Sequence, residues 1–238
     1  MILNKIKNLN PLVLIPARGG SKSIPNKNIK CLDNKPLIQY TINEAKKIFN
    51  KESICVSTDS IEIKKVVEKL GIKIPFLRPK ELAKDTTPTR DVILHALKYF
   101  ENKGVFYNII ILLQPTSPFR NSKHILDSFN LYNNKLDMVV SVKKSKANPY
   151  FNLYEENDKG KLFQSKKSNF IRRQDCNEVF QFNGAIYVIN SKSIKEKQIH
   201  DFNEVIKFQM DEISSIDIDD MGDWVYAEYL LKYKKNDL

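Results

Sequence analysis

Between residues 11 and 142, short apolar runs alternate with stretches whose apolar residues recur at helical spacing, and this alternation constrains the fold more than any other feature. Pro11–Pro16 (PLVLIP) is a brief apolar run closed by turn residues, which predicts a strand buried on both faces. Ile38, Ile42, Ala45, Ile48 and Phe49 then mark one face of a helix. A second strand is predicted at 54–58 (ICVST), a helix through Ile63, Val66, Val67 and Leu70, and another through Ile93, Ala96, Leu97 and Phe100. Ile109–Leu113 is the most hydrophobic strand; a helix through Ile125, Leu126, Phe129 and Tyr132 leads to a strand at 138–142. Strand-then-helix steps of this kind predict an α/β fold with a doubly wound, mostly parallel sheet.

The rhythm stops after Val142. Residues 143–182 are rich in Asn, Lys, Ser and aromatics without a helical stripe, and Phe151, Leu153 and Tyr154 suggest extended strands. We read 143–182 as an inserted β-rich arm, and 1–142 with 183–238 as the α/β domain that carries it. The pattern resumes with a strand at 185–189, a short helix after Asn190, a strand near 205–210 and a last helix carrying Trp224, Ala227 and Leu231.

Composition narrows the class. With 42% hydrophobic and 28% charged residues, 7 Gly and 10 Pro, the chain has material for a real core and is neither disordered nor collagen-like. No apolar run approaches the roughly 20 residues of a membrane span, and the start lacks the apolar core and cleavage site of a secretory signal, so a cytoplasmic location is expected. Three cysteines (Cys31, Cys55, Cys176) without C-x-x-C spacing indicate neither a disulfide framework nor a zinc site. The net charge of +11 admits nucleic acid, acidic membrane or anionic small molecules as partners.

In an open α/β sheet, ligands sit beyond the carboxyl ends of the strands. Polar residues stand at each such end: Ala17-Arg18-Gly19-Gly20-Ser21-Lys22, then Ser57-Thr58-Asp59, then Gln114-Pro115-Thr116-Ser117-Pro118. In the first, Gly19 and Gly20 predict a turn whose successive N–H groups point into one hollow, with Arg18, Lys22 and Lys27 adding charge, an arrangement suited to a polyphosphate. It is not a Walker A loop, because Ser21 precedes the lysine and Pro16 stands where the first glycine belongs. A solvated basic turn is the alternative; the position directly after the first strand favours phosphate.

In SIDIDDMGDW (215–224), alternation with Ile216 and Ile218 puts Asp217 and Asp219 on one face of a strand end, about 7 Å apart. Paired carboxylates repel unless a divalent cation lies between them, and magnesium suits such oxygen ligands. An EF-hand fails at Met221, which offers no oxygen; helix capping by Asp220 or Asp223 is the other reading. LLQPTSPFR (112–120) presents Gln114, Thr116 and Ser117 from a proline-stiffened segment, or is a plain connection, and Arg120 could begin a solvated helix face. Asn183-Gly184 signals a turn into a strand carrying Tyr187. His95, His124 and His200 have no metal-ligand spacing, and no nucleophile motif appears. Phosphoryl or nucleotidyl transfer, which relies on positioning, cations and a metal, fits this inventory.

Taken in order, IPARGGSKSIPNKNIK (15–30), VSTDS (56–60), LRPKELAKDT (77–86), LLQPTSPFR, FNGAIYV (182–188) and SIDIDD closely resemble the acylneuraminate cytidylyltransferases, or CMP-sialic acid synthetases. The likeness runs from about Leu12 to the last helix. It implies a Rossmann-like nucleotidyltransferase that joins CTP to a nonulosonic acid and releases pyrophosphate, with attack by the anomeric 2-hydroxyl on the α-phosphate. It implies that Ala17, Arg18, Gly19, Gly20, Ser21, Lys22, Lys27 and Asn28 bind the nucleotide, with Arg78 and Asp85 on the cytidine side. Asp217 and Asp219 would bind Mg²⁺, and Arg18, Lys22 and Lys27 would join them in catalysis. Gln114, Thr116, Ser117, Asn183 and Tyr187 would contact the sugar, and Arg173 its carboxylate. In this family the arm reaches a second subunit, which implies a homodimer with shared sites and places Arg173 in the neighbour's pocket.

NPYFNL (148–153) is similar to legionaminate-activating relatives, whereas some sialic-acid members carry a basic residue after the proline. N-acetylneuraminate and legionaminate are therefore the expected sugars. Pseudaminate, 3-deoxy-octulosonate or a sugar 1-phosphate is the enzymatic alternative, and a basic nucleic-acid-binding module the remote one. Location argues against the last: residues 1–35 hold 7 basic and 1 acidic side chains and residues 143–173 hold 9 and 3, so the excess lies in the N-terminal segment that contains the proposed triphosphate loop and in the arm.

Overall fold

The computed structural model describes residues 2–236. Helix α1 (Ile2–Leu9), which the sequence pattern does not announce, precedes strand β1 (Pro11–Pro16). A loop through residue 30 leads to the two-residue strands β2 (Cys31–Leu32) and β3 (Lys35–Pro36), then α2 (Leu37–Lys46), β4 (Ile54–Ser57), α3 (Ile61–Lys69), α4 (Thr89–Glu101) and β5 (Ile109–Leu113). After α5 (Ser122–Leu131) come β6 (Met138–Lys144), the small strands β7 (Tyr154–Glu156) and β8 (Leu162–Gln164), and the long β9 (Phe180–Asn190). The chain ends with α6 (Ser191–Glu196), β10 (Val205–Gln209) and α7 (Met221–Asn236).

Six strands form one sheet in the order β10-β6-β9-β5-β1-β4. β1 is parallel to both β4 and β5, β6 is parallel to β10, and β9 runs antiparallel between β5 and β6. The mostly parallel, doubly wound arrangement expected from the alternation is present. All of Ile109 to Leu113 is buried because helices cover both faces, and this is why the strand reads as an unbroken apolar run. Val13, Ile15 and Ile111 pack with α2, α3 and α5 on one face; Leu12, Leu14, Ile110 and Leu112 pack with Ile93, Ala96 and Leu97 of α4 on the other. Each such side chain contributes roughly 1.5–3 kcal/mol when fully buried.

A third cluster decides where the site forms. Trp224 and Ala227 of α7 pack with Ile24, Leu32, Leu37 and Ile218, which pins the segment before α7 onto the loop after β1. Between β6 and β9 the chain leaves the sheet; β7 and β8 form a two-stranded hairpin, with Phe151 in a turn and Leu153 in irregular chain just before β7 rather than in strands. Among the described residues, no helix is long and apolar enough to cross a membrane.

Two local expectations are corrected. Asn183-Gly184 is not a turn: β9 continues through it, paired with β6 before and after, and the register against β6 shifts between Val140 and Val142. Gly184, at φ 75°, absorbs that irregularity as a bulge. Residues 216–219 are extended but belong to no sheet; their main-chain anchors are Ile218 N–H donating to the Thr116 carbonyl at 2.9 Å and Lys27 Nζ donating to the Ile218 carbonyl at 2.7 Å.

Candidate active site

The carboxyl ends of β1 and β5 open onto a cavity of about 720 Å³, bounded by the segment before α7, while Ser57-Thr58-Asp59 at the end of β4 lies behind it and supports Ala17, Gly19 and Arg78. Arg18, Ser21, Lys22, Lys27, Asn28, Arg78, Asp85, Gln114, Thr116, Asp217 and Asp219 all line it. The polar strand ends therefore converge as the sheet topology dictates.

The loop after β1 is built differently from its sequence expectation. Neither Gly19 nor Gly20 has a positive φ, the Gly19 N–H donates to Asp59 Oδ1 at 2.9 Å, and the Ser21 N–H donates to the Gly19 carbonyl. Gly19 is needed for space, since a Cβ there would lie 3.0 Å from Ser60 Cβ. With those N–H groups taken, the cationic character comes from side chains. Asn28 Nδ2 donates to the Arg18 carbonyl at 3.0 Å and holds the loop's shape. Ala17, fully buried, bonds through its N–H to Ser57 and lies beneath the cavity floor.

Arg78 is held by its own N–H, which donates to the Thr58 carbonyl at 2.7 Å where a bridge between Thr58 and Leu77 prolongs the sheet edge. It is only 5% exposed, and its Nε and Nη2 have no partner. Burial lowers its pKa, against the opposing pull of Asp59. Asp85 pairs with Arg18 and, at 2.5 Å, with Lys22. Its pKa lies below the usual carboxylate value chiefly because Lys22 donates to it.

Asp217 faces this cationic wall. Its Oδ1 is buried without a partner, and burial raises its pKa; a bond from Thr116 opposes the shift and the charge on Asp219 adds to it. Asp219 is largely exposed, 3.8 Å from Lys27 Nζ. Ile218 between them is fully buried, so the period-two reading of this segment assigns the faces correctly although no ladder exists. Asp223 accepts from the N–H groups of Asp219 and Asp220, and Asp220 from those of Gly222 and Asp223, which are capping bonds at the start of α7. Among the described residues, no group of three or more His, Cys, Asp or Glu is placed to hold a metal alone. The pair Asp217 and Asp219 is what the protein offers.

Four expected sugar contacts lie elsewhere. Ser117 is 1% exposed with its Oγ unpartnered and off the cavity wall. Asn183 has its amide fully employed: it donates to Ser215 Oγ at 2.9 Å and accepts from Ser141 Oγ and the Ala185 N–H, clasping the β9 bulge. Tyr187 is mostly buried; burial raises its pKa, with Asp217 adding to the rise. Arg173 is exposed on the arm, donating to the Lys146 carbonyl at 2.5 Å. Sequence reasoning overlooked the wall of Leu82, Thr87, Thr89 and Val92, for which Pro88 at the threshold of α4 was the available signal.

The family model described as Cytidylyltransferase matches residues 12–232, almost the entire chain. The chain belongs to the cytidylyltransferase family. Among curated relatives, the CMP-N,N'-diacetyllegionaminic acid synthase of Legionella pneumophila is 35% identical over 234 residues, covering 95% of this chain and 98% of that one. The post-translational flagellin modification protein B of Campylobacter coli is 34% identical over 228 residues, 94% of this chain and 95% of that one. The N-acylneuraminate cytidylyltransferase of Escherichia coli is 36% identical over 231 residues; the match covers 94% of this cytidylyltransferase but 52% of the longer relative. In fold it is similar to a solved CMP:2-keto-3-deoxy-manno-octonic acid synthetase in complex with CTP, with a TM-score of 0.69 at 15% identity, covering 94% of this chain and 99% of that one.

Proposed function

We propose that this cytidylyltransferase is a cytoplasmic homodimer that transfers CMP from CTP to the anomeric 2-hydroxyl of a nonulosonic acid. The observation that carries the reading is a single cavity lined by Arg18, Lys22 and Arg78 together with Asp217 and Asp219, where Lys27 stands beside the two carboxylates. Family membership supports CTP as the nucleotide. The names of the relatives support a nonulosonate acceptor, and NPYFNL together with the Legionella relative favours the legionaminate type.

In the reaction, the 2-hydroxyl oxygen bonds to the α-phosphorus, the bond from that phosphorus to the bridging oxygen breaks, and pyrophosphate leaves. The hydroxyl proton passes to solvent. Arg18, Lys22 and Lys27 hold the departing phosphates, Arg78 brings an unpaired guanidinium from the sheet edge, and Gln114 orients the sugar from the end of β5. Asp217 and Asp219 form a hard oxygen pair that fits magnesium, because the buried Oδ1 of Asp217 has no partner within the protein. When bound, the ion offsets phosphate charge during the displacement.

Pyrophosphate release measured with N-acetylneuraminate, legionaminate and pseudaminate, each with CTP or UTP, tests the reading. Release is expected only with CTP and a sugar acid together, and is expected to be fastest with legionaminate. No release across the panel overturns the assignment.

The arm supports the dimer. Leu162 is 69% and Ile171 89% exposed, with Phe163 and Phe170 beside them, and a lone two-stranded hairpin is marginal in water unless its apolar face is covered. The geometry of a second subunit would bring Arg173 to the neighbour's site. Leu162→Glu combined with Ile171→Glu is expected to yield a monomer in sedimentation velocity. A parent protein that is itself monomeric at micromolar concentration rules the dimer out.

A further inference from the structure

The motif LLQPTSPFR contains one residue with no part in the reading above. Arg120 is 2% exposed rather than solvated. Its Nη1 donates to two carbonyls, Gln114 at 3.0 Å and Ala185 at 2.9 Å, and its Nη2 donates to Thr41 Oγ1 at 2.5 Å. Thr41 in turn donates to the Gln114 carbonyl at 3.3 Å. Glu44 and Asp217 act on the guanidinium only through their field, and it forms no ion pair among the described residues.

Stability alone does not call for a cation here. Removing a charge from water costs several kcal/mol, and well-packed apolar replacements of buried ions are often neutral or stabilising. Burial pulls the pKa of Arg120 down to about 9, so the group keeps its charge at neutral pH. What the guanidinium provides is two nitrogens set apart in one plane, Nη1 for the two carbonyls and Nη2 for Thr41, a spread that one ammonium cannot copy. The β5–β9 ladder reaches Leu113 and Ile186, and just past that pair the carbonyls of Gln114 and Ala185 share one Nη1. Gln114 begins the cavity wall. Ala185 follows Gly184, and a Cβ on Gly184 would sit 3.0 Å from Asp217 Oδ2. The two tethered carbonyls therefore belong to the two pieces of backbone that seat Gln114 and Asp217.

We propose that Arg120 is a positioning residue for the transfer reaction: its Nη1 ties the end of β5 to the bulge of β9 while Nη2 holds Thr41 of α2, and together they fix Gln114 and Asp217 relative to each other. The inference rests on the proposed reaction only for its kinetic readout. The part of the loop that carries Arg18 and Lys22 is tied to the end of β4 through Ala17 and Gly19 and makes no bond to Arg120 among the described residues, so CTP affinity is expected to change far less than turnover.

The test compares Arg120→Lys, Arg120→Met and Thr41→Val with the parent. A misplacement of about 1 Å costs about 10²-fold in turnover, and that loss is expected in kcat for Arg120→Lys, with CTP affinity by calorimetry within about threefold of the parent. Thr41→Val is expected to show a smaller loss of the same kind. A turnover within about twofold of the parent, or a fall in CTP affinity that matches the fall in kcat, overturns the proposal. Should Arg120→Met not fold, Arg120→Lys decides. Hydrogen exchange supplies a readout independent of activity: amides at 114–118 and 183–186 are expected to exchange faster in Arg120→Lys, with 17–28 unchanged. Unaltered exchange at both segments overturns the tether even if the parent releases no pyrophosphate, an outcome that would sink only the reaction.

Discussion

Asp217→Asn is expected to lower turnover by at least about 10²-fold, the scale on which removal of a single group stabilising a transition state is felt. The substitution keeps the shape and the bond from Thr116 but removes the charge that would recruit a cation. Near-normal turnover would refute the metal role of this residue. Stability is expected to move the other way. Burial raises the Asp217 pKa, so the folded protein binds that proton more tightly than the unfolded chain does. The ionised carboxylate therefore costs stability above the folded pKa, a cost that vanishes at acid pH where both states are protonated. Asn removes the cost at neutral pH, so the midpoint of thermal unfolding should rise while turnover falls. A carboxylate retained against stability fits a functional site.

Gly184→Val is expected to have the second largest effect. A Cβ at this position meets Asp217 Oδ2 at 3.0 Å, and the backbone sits at φ 75°, where a β-branched residue is strained. Departure from an L-residue's preferred region costs about 1–2 kcal/mol, and the contact forces Asp217 aside. Stability in urea should fall by at least that amount, and kcat by about 10²-fold. Gly184→Ala should lie between the parent and Val in both measurements. If Gly184→Ala retains full turnover, the bulge does not seat Asp217.

The sheet was legible because burial on both faces writes an apolar run into each central strand, whatever the partner strands are. The cavity was legible because the carboxyl ends of β1 and β5 must lie side by side once those strands are parallel neighbours. What escaped depends on partners far along the chain. Asn183-Gly184 carries a turn's local chemistry, but pairing with β6 before and after it, and with β5 from Ile186 on, keeps the chain within one strand and makes the pair a bulge. Arg120 is buried by Thr41, Gln114 and Ala185, which come from three separate elements, and no local pattern encodes that meeting. The Ile-Asp-Ile-Asp alternation disclosed which side chains face the cavity; it could not disclose that the segment has no neighbouring strand.

On the proposed reading of Arg18 and Lys22 as triphosphate ligands, their bond to Asp85 would give the nucleotide pocket its own counterion. When triphosphate oxygens claim those two cations, a carboxylate is exchanged for a phosphate rather than a bare charge being neutralised. Binding then releases fewer mobile ions than the number of basic side chains suggests, and nucleotide affinity declines less steeply with salt than it would if both cations stood free. The same carboxylate, once displaced, would remain tethered nearby to reclaim Arg18 and Lys22 as pyrophosphate departs, and the empty pocket would then compete with its own product.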